Sequence, residues 1–193
     1  MPLKDLLLAC APPASPVDPP GADRWATLES RIGCALPGDY RSMAERYGCG
    51  GFGAYTESGA FFDLLYAVSP GCTHSPLDAL RWMKERTEDM AVIRASYPLQ
   101  VPSAIHPEPG GLLYAGGTTT LHSIYWRTAG APDAWTCAVC DSGCETWFEW
   151  AGDLTSLFAA IATGRVPPWI VAGVPSFPLV FRDPVSASRT GLL

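Results

Sequence analysis

The densest concentration of reactive side chains is Cys137-Ala-Val-Cys140-Asp-Ser-Gly-Cys144. Spacing of the form C-x-x-C-x-x-x-C can supply three thiolates to a zinc ion. The residues from Thr136 to Cys140, however, alternate like a β-strand. In a strand, Cys137 and Cys140 point to opposite faces and cannot share one ion. A zinc knuckle also needs a second ligand pair, and none follows. The motif is therefore read as part of a hairpin, and no metal or other cofactor is expected. A contact between Cys140 and Cys144 across the hairpin is compatible with that reading; a bond between them would require an oxidising compartment.

His74, His106 and His122 lie far apart and show no metal-ligand spacing. A Cys–His122 dyad for a small hydrolase is a third-ranked reading, because such partners meet only in the fold. No G-x-S-x-G elbow occurs. The run Gly48-Cys-Gly-Gly-Phe-Gly53 looks like a phosphate loop. It follows a predicted helix instead of opening one, so it reads as a helix stop and a tight turn. Asp78, Glu85, Glu88 and Asp89 fall along one side of a predicted long helix, with Arg81 placed to pair with Asp78 or Glu85. This acidic ridge is the expected docking site for a basic partner.

The elements that must position these residues can be read from pattern. Leu3 to Ala9 can form a short helix, and five prolines between Pro12 and Gly21 make the next stretch an arm. Asp23 is placed to cap a helix carrying Trp25, Leu28 and Ile32 on one face and ending at Gly33. Leu36-Pro37-Gly38-Asp39-Tyr40 opens another, with Tyr40, Met43, Ala44 and Tyr47 buried and Gly48 as its stop. Phe61 to Val68 reads as a strand. Ser75-Pro76-Leu77-Asp78 starts the long helix, which runs to about Ala95 with Ala79, Met83, Met90 and Ile93 inward.

From Gly111 the pattern turns to strands. They are Leu112 to Ala115 with a turn at Gly116-Gly117, Thr119 to Arg127, Trp135 to Cys140, and Glu145 to Trp150 after the Asp141-Ser142-Gly143 turn. Asp153 caps a last helix bearing Leu154, Leu157, Phe158 and Ile161, closed by Gly164. The Pro-rich tail from Arg165 is expected to lie over the domain, anchored by Trp169, Phe177 and Phe181. Strands grouped together instead of alternating with helices argue an α+β fold with an antiparallel sheet.

Composition narrows the function. The 193 residues include seven each of Trp, Tyr and Phe, ample for one large core. The formal charge of −6 argues against direct nucleic-acid binding and suits a basic protein partner. The seven scattered cysteines read as buried thiols of a reducing cytoplasm. Leu7-Leu8-Ala9-Cys10 resembles a lipoprotein signal, but the apolar run before Cys10 is too short, so export is not expected. No stretch approaches the roughly 20 apolar residues of a membrane span.

An ordered series of short motifs runs through the chain. It comprises Trp25-x-x-Leu28-Glu29, Gly33, Leu36-Pro37-x-Asp39-Tyr40, Tyr47-Gly48-x-Gly50-x-Phe52 and Gly110-Gly-Leu-Leu-Tyr-Ala-Gly-Gly117, then Tyr125-Trp126, Pro132-Asp133-x-Trp135 and Trp147-Phe148-x-Trp150 with Leu154. This series resembles the SUKH superfamily, whose founding member regulates cell-wall glucan synthesis in yeast and whose bacterial members include immunity proteins. The resemblance implies a curved antiparallel sheet flanked by helices over residues 22–164, with 1–21 and 165–193 as flanking arms. It implies a non-catalytic protein-binding role, foremost neutralisation of a toxin domain, and second a regulatory scaffold for a housekeeping partner. It brings no catalytic residue set. The motif residues are aromatics, glycines and Leu-Pro pairs, which build cores and turns.

Overall fold

A computed structural model of the chain describes residues 2–67 and 76–183. Five helices and seven strands alternate in blocks: α1 (Pro2–Ala9), α2 (Ala22–Ile32), α3 (Gly38–Tyr47), β1 (Gly51–Tyr55), β2 (Phe61–Ala67), α4 (Pro76–Ser96), β3 (Leu112–Thr118), β4 (Ser123–Arg127), β5 (Thr136–Cys140), β6 (Trp147–Trp150), α5 (Leu154–Ala162) and β7 (Val180–Arg182). The strands form one open sheet in the order β6-β5-β4-β3-β2-β1-β7, antiparallel throughout. The class is α+β, as the grouped strands require. β1 to β6 lie side by side in chain order, with α4 inserted between β2 and β3. Only β7 returns from afar, to the free edge of β1.

The core is aromatic where the first helices meet the sheet. The Tyr40 ring stands between Trp25 (5.4 Å, 76°) and Trp126 (4.9 Å, 73°), both edge-to-face. Each such pair contributes about 0.5–1.5 kcal/mol beyond burial. Leu154, Leu157, Phe158 and Ile161 are fully buried, and so are the alanines between them. A helix apolar on every side must be covered on every side. α1 and the segment after Gly164 complete that cover. Asp153 caps α5, its carboxylate accepting from the Ser156 N–H at 2.8 Å.

Several boundaries differ from the pattern reading, each for a local reason. Asp23 does not cap α2: Gly21 occupies that position without a side-chain bond, and Asp23 sits in the first turn. Gly116 and Gly117 are not a turn but lie inside β3, at a register irregularity. A Cβ on Gly117 would stand 2.7 Å from the His122 carbonyl oxygen, so the glycine serves close packing against the true turn. That turn is Thr119 to His122, with Leu121 at φ 70°, and β4 begins only at Ser123. β6 likewise starts at Trp147, because the Asp141 carboxylate takes the Glu145 N–H (2.9 Å) into the hairpin loop.

Gly48 stops α3 at φ 67°, and a Cβ there would meet the Val17 carbonyl oxygen at 2.4 Å. The glycine run thus lets the Pro-rich arm cross the end of α3, and continues as β1 from Gly51. Ser75, Cys72, His74 and Val68 lie outside the described residues, as do the side chains of Asp78 and Ala79.

The tail does more than lie over the domain. The Leu179 N–H donates to the Ala162 carbonyl at 2.8 Å, and Leu179 and Ile170 are fully buried. Phe181 packs on Tyr47 and Phe52 (5.0 and 5.1 Å between centroids) while its strand pairs with β1. Trp169 is half-buried, whereas Phe177 is exposed and anchors little. We predict that Leu179→Ala lowers stability by about 2–5 kcal/mol, the cost of a core truncation. A urea midpoint unchanged from the parent would show the tail to be dispensable.

Candidate functional site

An open groove of about 500 Å³ lies between α4 and the sheet. Its α4 bank carries Arg86, Asp89, Met90, Val92 and Ile93. Tyr66, Tyr114 and Tyr125 come from three neighbouring strands, β2, β3 and β4. The opposite bank is made by the two hairpin turns, with Leu121, His122, Asp141, Ser142 and Cys144.

α4 is held here by a backbone requirement. The ladder between β2 and β3 runs from Leu65–Thr118 to Ala67–Gly116. The Tyr114 N–H lies outside those rungs, and the Thr87 hydroxyl accepts it at 3.1 Å. Thr87 in turn donates to the Met83 carbonyl (2.6 Å). A buried amide left unpaired costs about 1–3 kcal/mol, so this bond fixes which turn of α4 sits over β3.

Burial favours the neutral forms of three groove side chains, Tyr114, Tyr125 and His122. Burial pushes the Tyr114 and Tyr125 hydroxyls well above the ordinary tyrosine value. Tyr66 and Tyr114 share a hydroxyl–hydroxyl bond of 3.2 Å. Burial lowers His122, against a weaker opposing pull from Asp141. Its Nδ1 faces the Thr118 and Thr120 hydroxyls (3.1 and 2.9 Å), and its ring lies 5.1 Å from Trp169. Such a histidine is oriented and neutral, but no described cysteine is among its hydrogen-bond partners. The partner of Cys144 is Cys140 instead. The Cys140 thiol interacts with the Cys144 sulfur as a hydrogen-bond donor, which raises Cys140 and lowers Cys144. Cys137 belongs to another environment, beside Asp39 and Asp153, where burial raises it far above its ordinary value. Among the described residues, no three His, Cys, Asp or Glu side chains gather as a metal site.

Glu85, Glu88 and Asp89 of the expected acidic ridge are all exposed on α4. Glu85 and Asp89 are exposed one turn apart on α4, Glu85 3.8 Å from Arg81 and Asp89 3.5 Å from Arg86. Asp89 borders the large groove. Glu88 borders instead a smaller cavity of about 190 Å³ on the other flank, with Lys84, Thr87, His106 and Ile32. Asp78 lies in the first turn of the helix. Arg81, Lys84 and Arg86 stand among Glu85, Glu88 and Asp89, so the stretch is charge-balanced. Residues the pattern reading passed over are Tyr66, Tyr114, Tyr125 and Arg86. Tyrosines on adjacent predicted strands were the available signal for a polar floor.

Compared with models of protein families, with curated proteins and with solved structures, the chain matches none. The likeness to the SUKH superfamily therefore rests on the ordered motifs alone.

His106 and His122 give a prediction with a definite sign. Burial holds both below the ordinary 6.5 in the folded state. As pH falls the unfolded chain takes up these protons first, so their contribution to stability is whole above that value and is lost below it. The urea midpoint should fall between about pH 7.5 and pH 5.5. His122→Gln should remove part of that fall, and an unchanged slope in the variant would refute the assignment.

Proposed function

We propose that this chain is a non-catalytic protein-binding domain of the SUKH kind. Its role is that of an immunity protein that binds and blocks a cognate toxin. The observation that carries the binding reading is the apolar rim of the groove. Val92 on the α4 bank is 67% exposed and Leu121 on the opposite bank 73%, and Trp82, in a neighbouring hollow of α4, is 46% exposed. Large apolar groups held out in water beside ion pairs are the composition of a macromolecular contact: an apolar centre with a polar margin. A groove this open suits a protruding segment of a partner better than an enclosed small molecule.

Two further observations support the family part of the reading. The class is the α+β arrangement that the resemblance implies, and its motif residues converge in space. Trp25 meets Tyr40, Tyr40 meets Trp126, and Trp126 meets Trp135 (6.2 Å). Glu29 holds the Leu36 N–H, Asp133 the Gly38 N–H and Asp39 the Thr155 N–H. Those residues are occupied with the scaffold, which leaves the groove rim as the recognition surface. The net charge of −6 speeds approach to a basic toxin, and the rim supplies affinity.

The test is capture and neutralisation of a toxin domain encoded beside this chain. The double change Val92→Arg and Leu121→Arg should weaken capture by about 100-fold or more, the scale of losing a central apolar contact. Glu85→Lys should alter chiefly the salt dependence of association. Failure to bind any neighbouring toxin would sink the immunity role. Binding that ignores the double change would sink the groove as its surface.

A further inference from the structure

The two edges of the sheet are guarded unequally. Prolines, charges and bulges are the usual devices against edge-to-edge pairing. β7, at one edge, has three residues, follows Pro178 closely and carries Arg182. β6, at the other, reads Trp147-Phe148-Glu149-Trp150, keeps a regular register with β5 and has no proline. Its single charge is already matched. The Arg127 guanidinium donates to both Glu149 carboxylate oxygens, from Nε at 2.7 Å. Trp147, Phe148 and Trp150 are half-buried, and Thr146, Glu149 and Ala151 are exposed. Both indoles are fixed from within, Trp147 Nε1 donating to the Gln100 carbonyl (2.8 Å) and Trp150 Nε1 to the Ser156 hydroxyl (2.9 Å). The edge is therefore aromatic, locally neutral and already ordered. We infer that β6 joins two copies of this chain, antiparallel about a two-fold axis at Phe148, into one continuous sheet.

The hairpin fixes which backbone groups are offered. The Asp141 N–H donates to the Thr146 carbonyl at 3.1 Å, so residues 141 and 146 form a bonded pair. Bonded and non-bonded pairs alternate along an antiparallel ladder. Val139–Phe148 and Cys137–Trp150 are then bonded, while Trp147 and Glu149 turn their N–H and C=O groups outward. Among the described residues no other main-chain bond reaches those groups. The register of a second copy follows from charge. An axis at Glu149 would set two carboxylates directly opposite each other, which is unfavourable. An axis at Phe148 sets Trp147 of each copy opposite Glu149 of the other, each pair exchanging two backbone bonds. The two Phe148 side chains then meet in the closer, non-bonded pair, and Trp150 faces Thr146. The strand is thus complementary to itself, as a two-fold contact requires. No β6 residue lines the groove, so this contact is independent of the binding reading and leaves the groove open.

The test uses the full wild-type chain at about 0.15 M salt, which screens repulsion between two copies of charge −6. In sedimentation equilibrium the mass should rise from 20.6 kDa towards twice that value. The midpoint should fall in roughly the tens of micromolar, the weak end expected of a small contact. A mass constant up to about 500 µM overturns the inference. Amide hydrogen exchange locates the contact. Between about 5 and 500 µM, the Trp147 and Glu149 amides should slow by about five-fold. The inward Phe148 and Trp150 amides should be protected at both concentrations. A dimer that leaves Trp147 and Glu149 exchanging freely, or a chain that stays monomeric while a toxin strand protects them, also overturns it. Glu149→Pro removes an outward N–H and no rung of the β5–β6 ladder. It should weaken self-association by about ten-fold or more; undiminished association in that variant counts against the assignment. The exchange measurement on the wild type does not depend on the variant folding.

Discussion

One half-buried carboxylate holds the two halves of this fold together. Asp39 lies in the first turn of α3, and it accepts the Thr155 N–H at 3.1 Å in the first turn of α5. It is thus shared between the N-termini of two helices that are far apart in sequence. Burial opposes its ionisation and so does nearby Asp153, while the amides of Thr155 and Tyr40 favour it; the net effect is a raised value. Helix N-termini are where a desolvated negative charge is best tolerated. The same device recurs within the seam: Glu29 takes the Leu36 N–H, Asp133 the Gly38 N–H and Asp153 the Ser156 N–H. Acidic side chains that resemble an excess of surface charge in the sequence are partly spent on orphan amides. Once α5 is anchored, α1 and Leu179 have a fixed surface to pack against.

This seam and the groove draw on different residues. The seam uses Trp25, Glu29, Asp39, Tyr40, Trp126, Asp133 and Trp135; the groove uses tyrosines of β2 to β4, the inner flank of α4 and two hairpin turns. Such a division lets turns and helix faces vary while the scaffold stays constant. Tyr114 and Tyr125 belong to both the motif series and the groove floor, whereas the rim residues Val92 and Leu121 stand outside the motifs.

Much of the scaffold was legible in the sequence because its signals are local. Apolar spacing marked α3 and α5, Gly33 and Gly48 marked helix ends, and Asp153 marked a cap. The errors came where long-range packing overrode local pattern. A Gly-Gly pair ordinarily signals a turn, but Gly117 is needed inside β3 by the approach of the His122 carbonyl. The tail's prolines hid a strand whose partner, β1, lies more than a hundred residues earlier. The site was less legible still. Charge spacing on α4 suggested one acidic ridge; Glu85, Glu88 and Asp89 are all exposed there, but arginines pair with Glu85 and Asp89. The groove exists only once three strands stand side by side, so no single segment announces it. The separation of Cys137 from Cys140 by strand geometry was readable; the left-handed backbone at Cys144 was not.

The pairing of β7 with β1 has a consequence for biosynthesis. A ribosome releases β1 long before it releases residues 180–182, at about 5–20 residues per second. For that interval the outer edge of β1 exposes unpaired amides and carbonyls, and Phe52 lacks the Phe181 ring that later packs on it. α1 waits in the same way for α5. The nascent chain must therefore keep both its first helix and its first strand uncommitted until nearly all of the described fold has emerged. Folding of this domain is therefore completed only once residues 180–182 have emerged, and until then the exposed strand edge calls for a chaperone's cover.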